Sequence, residues 1–315
     1  MMHSRNGHYL YRQALCSSIS CKIFALEREK LGTLDQGFRE TESTMAHSVF
    51  YYVMLCFSLV ASARSEGAMR FGYTGEMGPS HWGNLNPDYA MCSKGKHQSP
   101  INIERKHTVY NPRLEPLQMH YTTTNATLVD NHVNVMVRYN NSVDYVMVNG
   151  KQYWLKQIHW HSPSEHTIDG KRFAVELHMV HASDEGNITV LSNLYRYGRH
   201  DPFLDKIKGK IDELAKDVHA KGDQAQVQVG RMHMTPLRRH CHKYVRYIGS
   251  LTTPPCTENI IWNVLLKVRE MSRGQAEELR SILEDGFRVN SRPTQPLNGR
   301  IVEMYDDSRS TRKPN

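Results

Sequence analysis

Over 315 residues the chain is 39% hydrophobic and 23% charged, an ordinary soluble globular composition with enough length for one sizeable core. Its net charge of +8 is carried by basic residues spread along the chain, not interleaved with aromatics on one face, and no nucleic-acid motif accompanies them. That excludes a nucleic-acid partner and leaves the charge as a solvated surface.

Residues 1–44 show no amphipathic period, and Cys16 and Cys21 stand there without partners at metal-site spacing, so no fold is expected of them. From Val49 to Ala61 runs an uncharged apolar stretch of about 13 residues, too short to span a bilayer and suited to the core of a secretory leader. Ala61-Ser62-Ala63 closes it as a small-x-small cleavage site, and Met45 lies just before it. The expected organisation is an unstructured extension or upstream-start segment at 1–44, a signal peptide at 45–63 and one domain over 64–315, secreted or held in a compartment reached through the secretory route. A short uncleaved anchor is the alternative; no stable membrane span is expected. Cleavage leaves Cys92, Cys241 and Cys256, an odd number, so one thiol is left over in an oxidising compartment. Three N-x-S/T triplets, at Asn125, Asn140 and Asn187, fit the same route as glycosylation sites.

Farther along, the pattern is mainly strand. Leu128 to Tyr139 and Val143 to Val148 alternate, with Asn140-Asn141 between them suiting a hairpin, and Asn149-Gly150 marks a second turn before Gln152 to His161. Ser162 to Gly170 is rich in turn residues. Phe173 to Val180, Val190 to Tyr195 and Ile260 to Val268 are further strands. Two short peripheral helices are expected, Pro202 to Leu214 and Gly274 to Leu283, and a polar tail at Asp306–Asn315. Between the helices His240 and His242 repeat an H-x-H spacing inside a basic cluster, but no third ligand is evident and solvent exposure is the better reading.

The candidate site lies in Gln157 to His181. Side chains alternate faces along a strand, so Gln157, His159 and His161 share one face, as do Glu176, His178 and Val180 on the second strand. If the two strands pair antiparallel, three neutral imidazoles converge with no cysteine nearby, the ligand set of a catalytic zinc site with an open fourth position. Gln157 and Glu176 each precede a histidine by two residues on the same face, where an acceptor can take the outer ring N–H and orient the ring. Histidines on strands also occur as surface residues or hydrogen-bonded core residues, and that reading stays open on spacing alone.

Ser164-Glu165-His166 with Phe173, Glu176-Leu177-His178 and Met179-Val180 resembles the signature of the alpha-class carbonic anhydrases. So do Gly72-Tyr73-Thr74-Gly75, Gly78-Pro79-Ser80-His81-Trp82 and Gln98-Ser99-Pro100-Ile101 before it. Tyr247 to Glu258, Trp262 and Arg292 to Leu297 continue the resemblance after it, in order over about residues 70–305. It implies a mainly β (α+β) single domain on a large, twisted, mostly antiparallel sheet with short peripheral helices. It also implies Zn2+ on His159, His161 and His178 and reversible hydration of carbon dioxide to bicarbonate by zinc-bound hydroxide. Thr252 and Glu165 would orient that nucleophile, Thr253 would contact bicarbonate and inhibitors, and sulfonamides and anions would inhibit. Val180, Val190, Leu251 and Trp262 would form an apolar wall for CO2, and Tyr73 would help order water. Cys92 and Cys256 would be bridged, leaving Cys241 free.

The family proton shuttle usually follows Asn-x-Gly. Here Asp130-Asn131-His132-Val133 has no glycine, and an ungapped register would bring Val133 to that place, a slip of one residue that turns the side chain to the other face. His132 is expected to be the shuttle, with a surface histidine and buffer-dependent turnover as the alternative. Two rival functions fit the same fold: a non-catalytic binding or storage protein, and an esterase using the same hydroxide.

Overall fold

In the computed structural model the described residues are 71–139, 143–221, 225–234, 236–237 and 241–310, apart from the side chains of 218–221 and 310. The leader, the Asn140 triplet with its Asn140-Asn141 turn, His240 and the last residues of the tail lie outside them. The described residues belong to one unit, Gly67–Asn315.

Twelve strands form one mixed sheet: β1 (Val109–Tyr110), β2 (Gln118–His120), β3 (Thr123–Asp130), β4 (Val135–Tyr139), β5 (Tyr145–Val148), β6 (Lys151–His161), β7 (Val175–Ala182), β8 (Ile188–Tyr197), β9 (Gln226–His233), β10 (Lys243–Ser250), β11 (Glu258–Met271) and β12 (Glu303–Asp306). Their order is β9-β3-β4-β6-β7-β8-β11-β10-β12-β1, with β5 on β6 and β2 on β5. Only β8–β11 and β12–β1 pair parallel. Among the described residues the α-helices are α1 (Trp82–Leu85), α2 (Met91–Lys94), α3 (Pro202–Lys221), α4 (Arg273–Ser281) and α5 (Asp307–Ser310). The mainly β class and large, mostly antiparallel sheet agree with expectation.

Three local expectations need correction. The segment expected as one strand from Leu128 to Tyr139 is two, β3 and β4, paired antiparallel. The break is chemical: Asp130 Oδ1 accepts from the His132 N–H, and Asn131 Oδ1 accepts from the N–H groups of Val133 and Asn134, a pair of side-chain-closed turns that compete with the ladder. Nor do β4 and β5 form a hairpin with each other; both pair with β6, one after the other. The real two-residue hairpin is Asn149-Gly150 between β5 and β6, where both residues have positive φ, 52° and 74°. Finally, α3 extends past the expected Leu214 to Lys221; it is started by Asp201, whose carboxylate accepts from the Phe203 and Leu204 N–H groups, with Pro202 in the first turn.

One irregularity decides which way the central strand faces. Val180 pairs with Gln157 but His181 pairs with Leu155, so Lys156 is an extra residue, a β-bulge. Before it Tyr153 and Leu155 are buried; after it Ile158 and Trp160 are. The phase shift lets both halves of β6 feed one apolar core while Gln157, His159 and His161 stand together on the opposite face. That core is closed by Phe203, Leu204, Ile207, Ile211 and Leu214 of α3 and by Ala276 and Leu279 of α4. At roughly 1.5–3 kcal/mol for each large apolar side chain buried, packing, not helix propensity, holds α3 in place.

Candidate metal centre

His159 and His178 lie directly opposite each other on β6 and β7, and Glu176 lies opposite His161. Antiparallel register therefore gathers three imidazoles that the sequence separates. His159 Nε2 is 3.0 Å from His161 Nε2 and 3.3 Å from His178 Nδ1. Neither contact is a hydrogen bond, because each outer ring nitrogen already donates. His161 Nδ1 donates to the Asn290 carbonyl (2.7 Å), His178 Nε2 to Glu176 Oε1 (2.9 Å) and His159 Nδ1 to Gln157 Oε1 (2.7 Å). A carbonyl and a carboxylate can only accept, so the inner nitrogens carry lone pairs. His161 and His178 are buried and His159 is half-buried, which favours the neutral form: desolvation lowers the pKa of each, that of His161 to about 4. The three ligand atoms lie within 4.8 Å of one another and could hold a metal ion, and the 3.0–3.3 Å spacings from His159 suit nitrogen ligands about 2 Å from a tetrahedral zinc ion.

The acceptors are themselves fixed. Glu176 receives five donors: Oε1 from His178, His166 Nδ1 (2.6 Å) and Ser192 Oγ (2.5 Å), and Oε2 from the N–H groups of Glu165 (2.8 Å) and His166 (2.7 Å). Burial alone would raise its pKa, but His166, His178 and these hydrogen bonds hold it well below the usual carboxylate range. His166, Glu176 and His178 also come close enough to resemble a second ligand group, but Tyr247 occupies His166 Nε2 and every nearby nitrogen is spent, so they support the first site.

Glu165 is fully buried. Its Oε1 accepts the Arg292 N–H at 2.9 Å, while Oε2 is buried with no hydrogen-bond partner among the described residues. Burial pushes its pKa up to about 7; His178, the Thr252 hydroxyl and the Arg292 N–H work in the other direction. Thr252 sits, buried, in the loop 251–257 that joins β10 to β11, and the orphan Oε2 suits a hydroxyl donor. Val180, Val190 and Trp262 form one row across β7, β8 and β11, with Leu251 packed against the same cluster. The Trp262 ring lies 4.8 Å from the His178 ring. Tyr73 stacks edge-on against Trp82 and Phe287, its hydroxyl buried with no hydrogen-bond partner among the described residues.

His132 is half-buried in the turn between β3 and β4, at a left-handed φ of 67°. The missing glycine of the sequence thus has its conformational counterpart in His132 itself. Thr253 is half-buried beside Thr252. Asn125 and Asn187 are exposed, on β3 and in the β7–β8 turn. Cys92 and Cys256 are bridged; Cys241 is a free, buried thiol pushed up to about 12 by burial. His242 is exposed and pairs with Asp307, in keeping with its reading as a surface residue. Sequence reasoning missed Asn290, Ser192 and the Arg292 N–H. Two of these three contacts use backbone atoms and lie over a hundred residues from their partners, which no spacing reveals.

Fold and site together define a candidate three-histidine metal centre on a large β-sheet. A sequence profile for the eukaryotic-type carbonic anhydrases matches residues 77–306, and the chain belongs to that family. It is 38% identical to alpha carbonic anhydrase 7 of Arabidopsis thaliana over 260 residues, 82% of this chain and 93% of that protein. Among solved structures it resembles the alpha-carbonic anhydrase of Thermovibrio ammonificans bound to the inhibitor sulfanilamide, with a TM-score of 0.66 and 39% identity, covering 75% of this chain and all of that one. It also resembles dioscorin complexed with ascorbate, with a TM-score of 0.72 and 34% identity, covering 75% of this chain and 98% of that one.

Proposed function

We propose that the protein hydrates carbon dioxide reversibly to bicarbonate and a proton, with zinc on His159, His161 and His178. The observation that carries this is the convergence of three proton-free ring nitrogens whose outer nitrogens all donate. Zinc held there supplies a strong nucleophile at neutral pH, because in sites of this kind it lowers the pKa of a coordinated water to about 7. The protein's part is orientation. The Thr252 hydroxyl would accept from the nucleophile and donate to Glu165 in its ionised form, which can only accept, so that form fixes the direction of the chain. Val180, Val190, Leu251 and Trp262 offer CO2 an apolar surface, since it has little to hydrogen-bond. Thr253 contacts the bicarbonate formed. Tyr73 and His132 serve water ordering and proton export, His132 from the turn beside the Val133 carbonyl that Asn290 grips.

Sulfonamides and small anions are the inhibitors this reading expects, in line with the sulfanilamide complex of the bacterial relative. A secreted protein with residues 45–63 removed and glycans on Asn125, Asn140 or Asn187 is part of the same proposal, supported by the Cys92–Cys256 bridge, which persists only in oxidising compartments. No helix among the described residues is long and apolar enough to cross a membrane.

A second reading, a binding or storage protein, is favoured by the likeness to dioscorin. Stopped-flow CO2 hydration on the chain from Arg64, with zinc quantified in the same sample, separates the two. We expect one zinc per chain and rapid hydration, both lost in His178→Ala. A folded, zinc-loaded protein without hydration would establish the binding reading instead.

A further inference from the structure

Arg292 is 1% exposed, yet its guanidinium meets no carboxylate at hydrogen-bonding distance among the described residues. Nη1 donates to Gln98 Oε1 (2.8 Å) and the Ser99 carbonyl (2.9 Å), Nη2 to the Cys92 carbonyl (2.9 Å), and Nε is buried without a partner. Its cation lies 5.6 Å over the Trp82 ring. Burying a charge on neutral acceptors is costly, and a leucine or glutamine would fill the space at less cost. The arrangement makes sense in terms of what the arginine holds.

Residues 290–292 have no ladder of their own, yet each reaches the site. The Asn290 carbonyl accepts from the metal ligand His161, the Ser291 hydroxyl donates to the Pro163 carbonyl, and the Arg292 N–H donates to Glu165. One end of this strap is pinned by the Asn290 amide to Ser162 and Trp160 of the β6 end. The other end is pinned through the Arg292 guanidinium to the segment Cys92–Ser99, and three residues farther on the Gln295 N–H donates to the Pro100 carbonyl (2.7 Å). That segment is joined by the disulfide and by Gln98 Nε2 (3.0 Å to the Cys256 carbonyl) to the loop carrying Thr252, where the Cys256 N–H in turn donates to the Thr253 carbonyl. A closed circuit therefore runs from Glu165 through Arg292, the N-terminal segment and Cys256 to Thr252.

We infer that Arg292 is a positioning residue that sets Glu165 against Thr252 by tying both to the disulfide-anchored N-terminal segment. This rests on the proposed roles of Glu165 and Thr252. Lysine cannot replace it, because one ammonium on a flexible stem does not meet three fixed acceptors in a plane.

The test is a double-mutant cycle in zinc-loaded protein, combining Arg292→Gln with Thr252→Ala, with hydration rate, zinc content and the visible spectrum of the cobalt-substituted protein read on all four chains. Arg292→Gln is expected to keep one metal per chain and to lose about tenfold or more in kcat/KM, as displacement of an orienting group does. Its effect on rate and cobalt spectrum should vanish in the Thr252→Ala background, and Arg292→Lys should restore neither. Equal losses in both backgrounds, or an unchanged Arg292→Gln enzyme, would overturn the inference. If Arg292→Gln does not fold, Arg292→Lys runs the same cycle with the same two outcomes. Wild-type protein without hydration would overturn the activity reading instead, and the cobalt spectra would still decide the positioning.

Discussion

The residue whose chemistry is most exposed to test is Glu165, a buried carboxylate raised to about 7 from its ordinary 4.5. The folded protein holds this proton more tightly than the unfolded chain does. Metal-free protein therefore loses stability as pH rises from about 4.5 through about 7, and the cost is absent below that window. Replacing Glu165 by Gln removes the buried charge. Denaturant unfolding of metal-free protein should show Glu165→Gln more stable than wild type at pH 8, by up to about 3 kcal/mol, with the gap closing at pH 4. A gap that grows on acidification would contradict the burial argument. At this scale the sequence was generous: the clustering of the three histidines, and Gln157 and Glu176 beside them, were readable because alternation along a strand fixes the face of every second side chain. Asn290 was not, because the group that holds His161 is a carbonyl, and every residue has one.

At the scale of elements, the informative place is the turn between β3 and β4. His132 adopts φ 67°, where a side chain costs roughly 1 kcal/mol and glycine costs nothing. Stability and catalysis should then move in opposite directions. His132→Gly is expected to raise the unfolding free energy by up to about 1 kcal/mol while slowing turnover, with imidazole buffer restoring the rate. Turnover unchanged at low buffer would remove His132 as the shuttle. Alternation ran unbroken from Leu128 to Tyr139 on paper because the residues that interrupt it, Asp130 and Asn131, act through side chains that bond to the backbone two and three residues on. Likewise the Lys156 bulge is invisible to a period-two reading, since Gln152 to His161 scans as one strand although its buried face changes halfway.

For the whole molecule the disulfide is the covalent tie among the described residues, joining positions 164 residues apart. Loop-closure entropy for a ring of that length is about 5 kcal/mol, against about 2–4 kcal/mol for a typical disulfide. Cys92→Ser with Cys256→Ser should lower the melting temperature by several degrees, measured calorimetrically with zinc in excess so that metal loss does not enter. The sequence by itself determined the class of fold, the three histidines and two of the groups that orient them. These depend on local alternation and on residue chemistry, which adjacent positions carry. Only the tertiary structure decided which carbonyl holds His161, how Arg292 ties Glu165 to the disulfide, and where β6 changes face. The first two join segments a hundred or more residues apart and the third depends on how β6 pairs with β7, so the fold and not sequence spacing sets each of them.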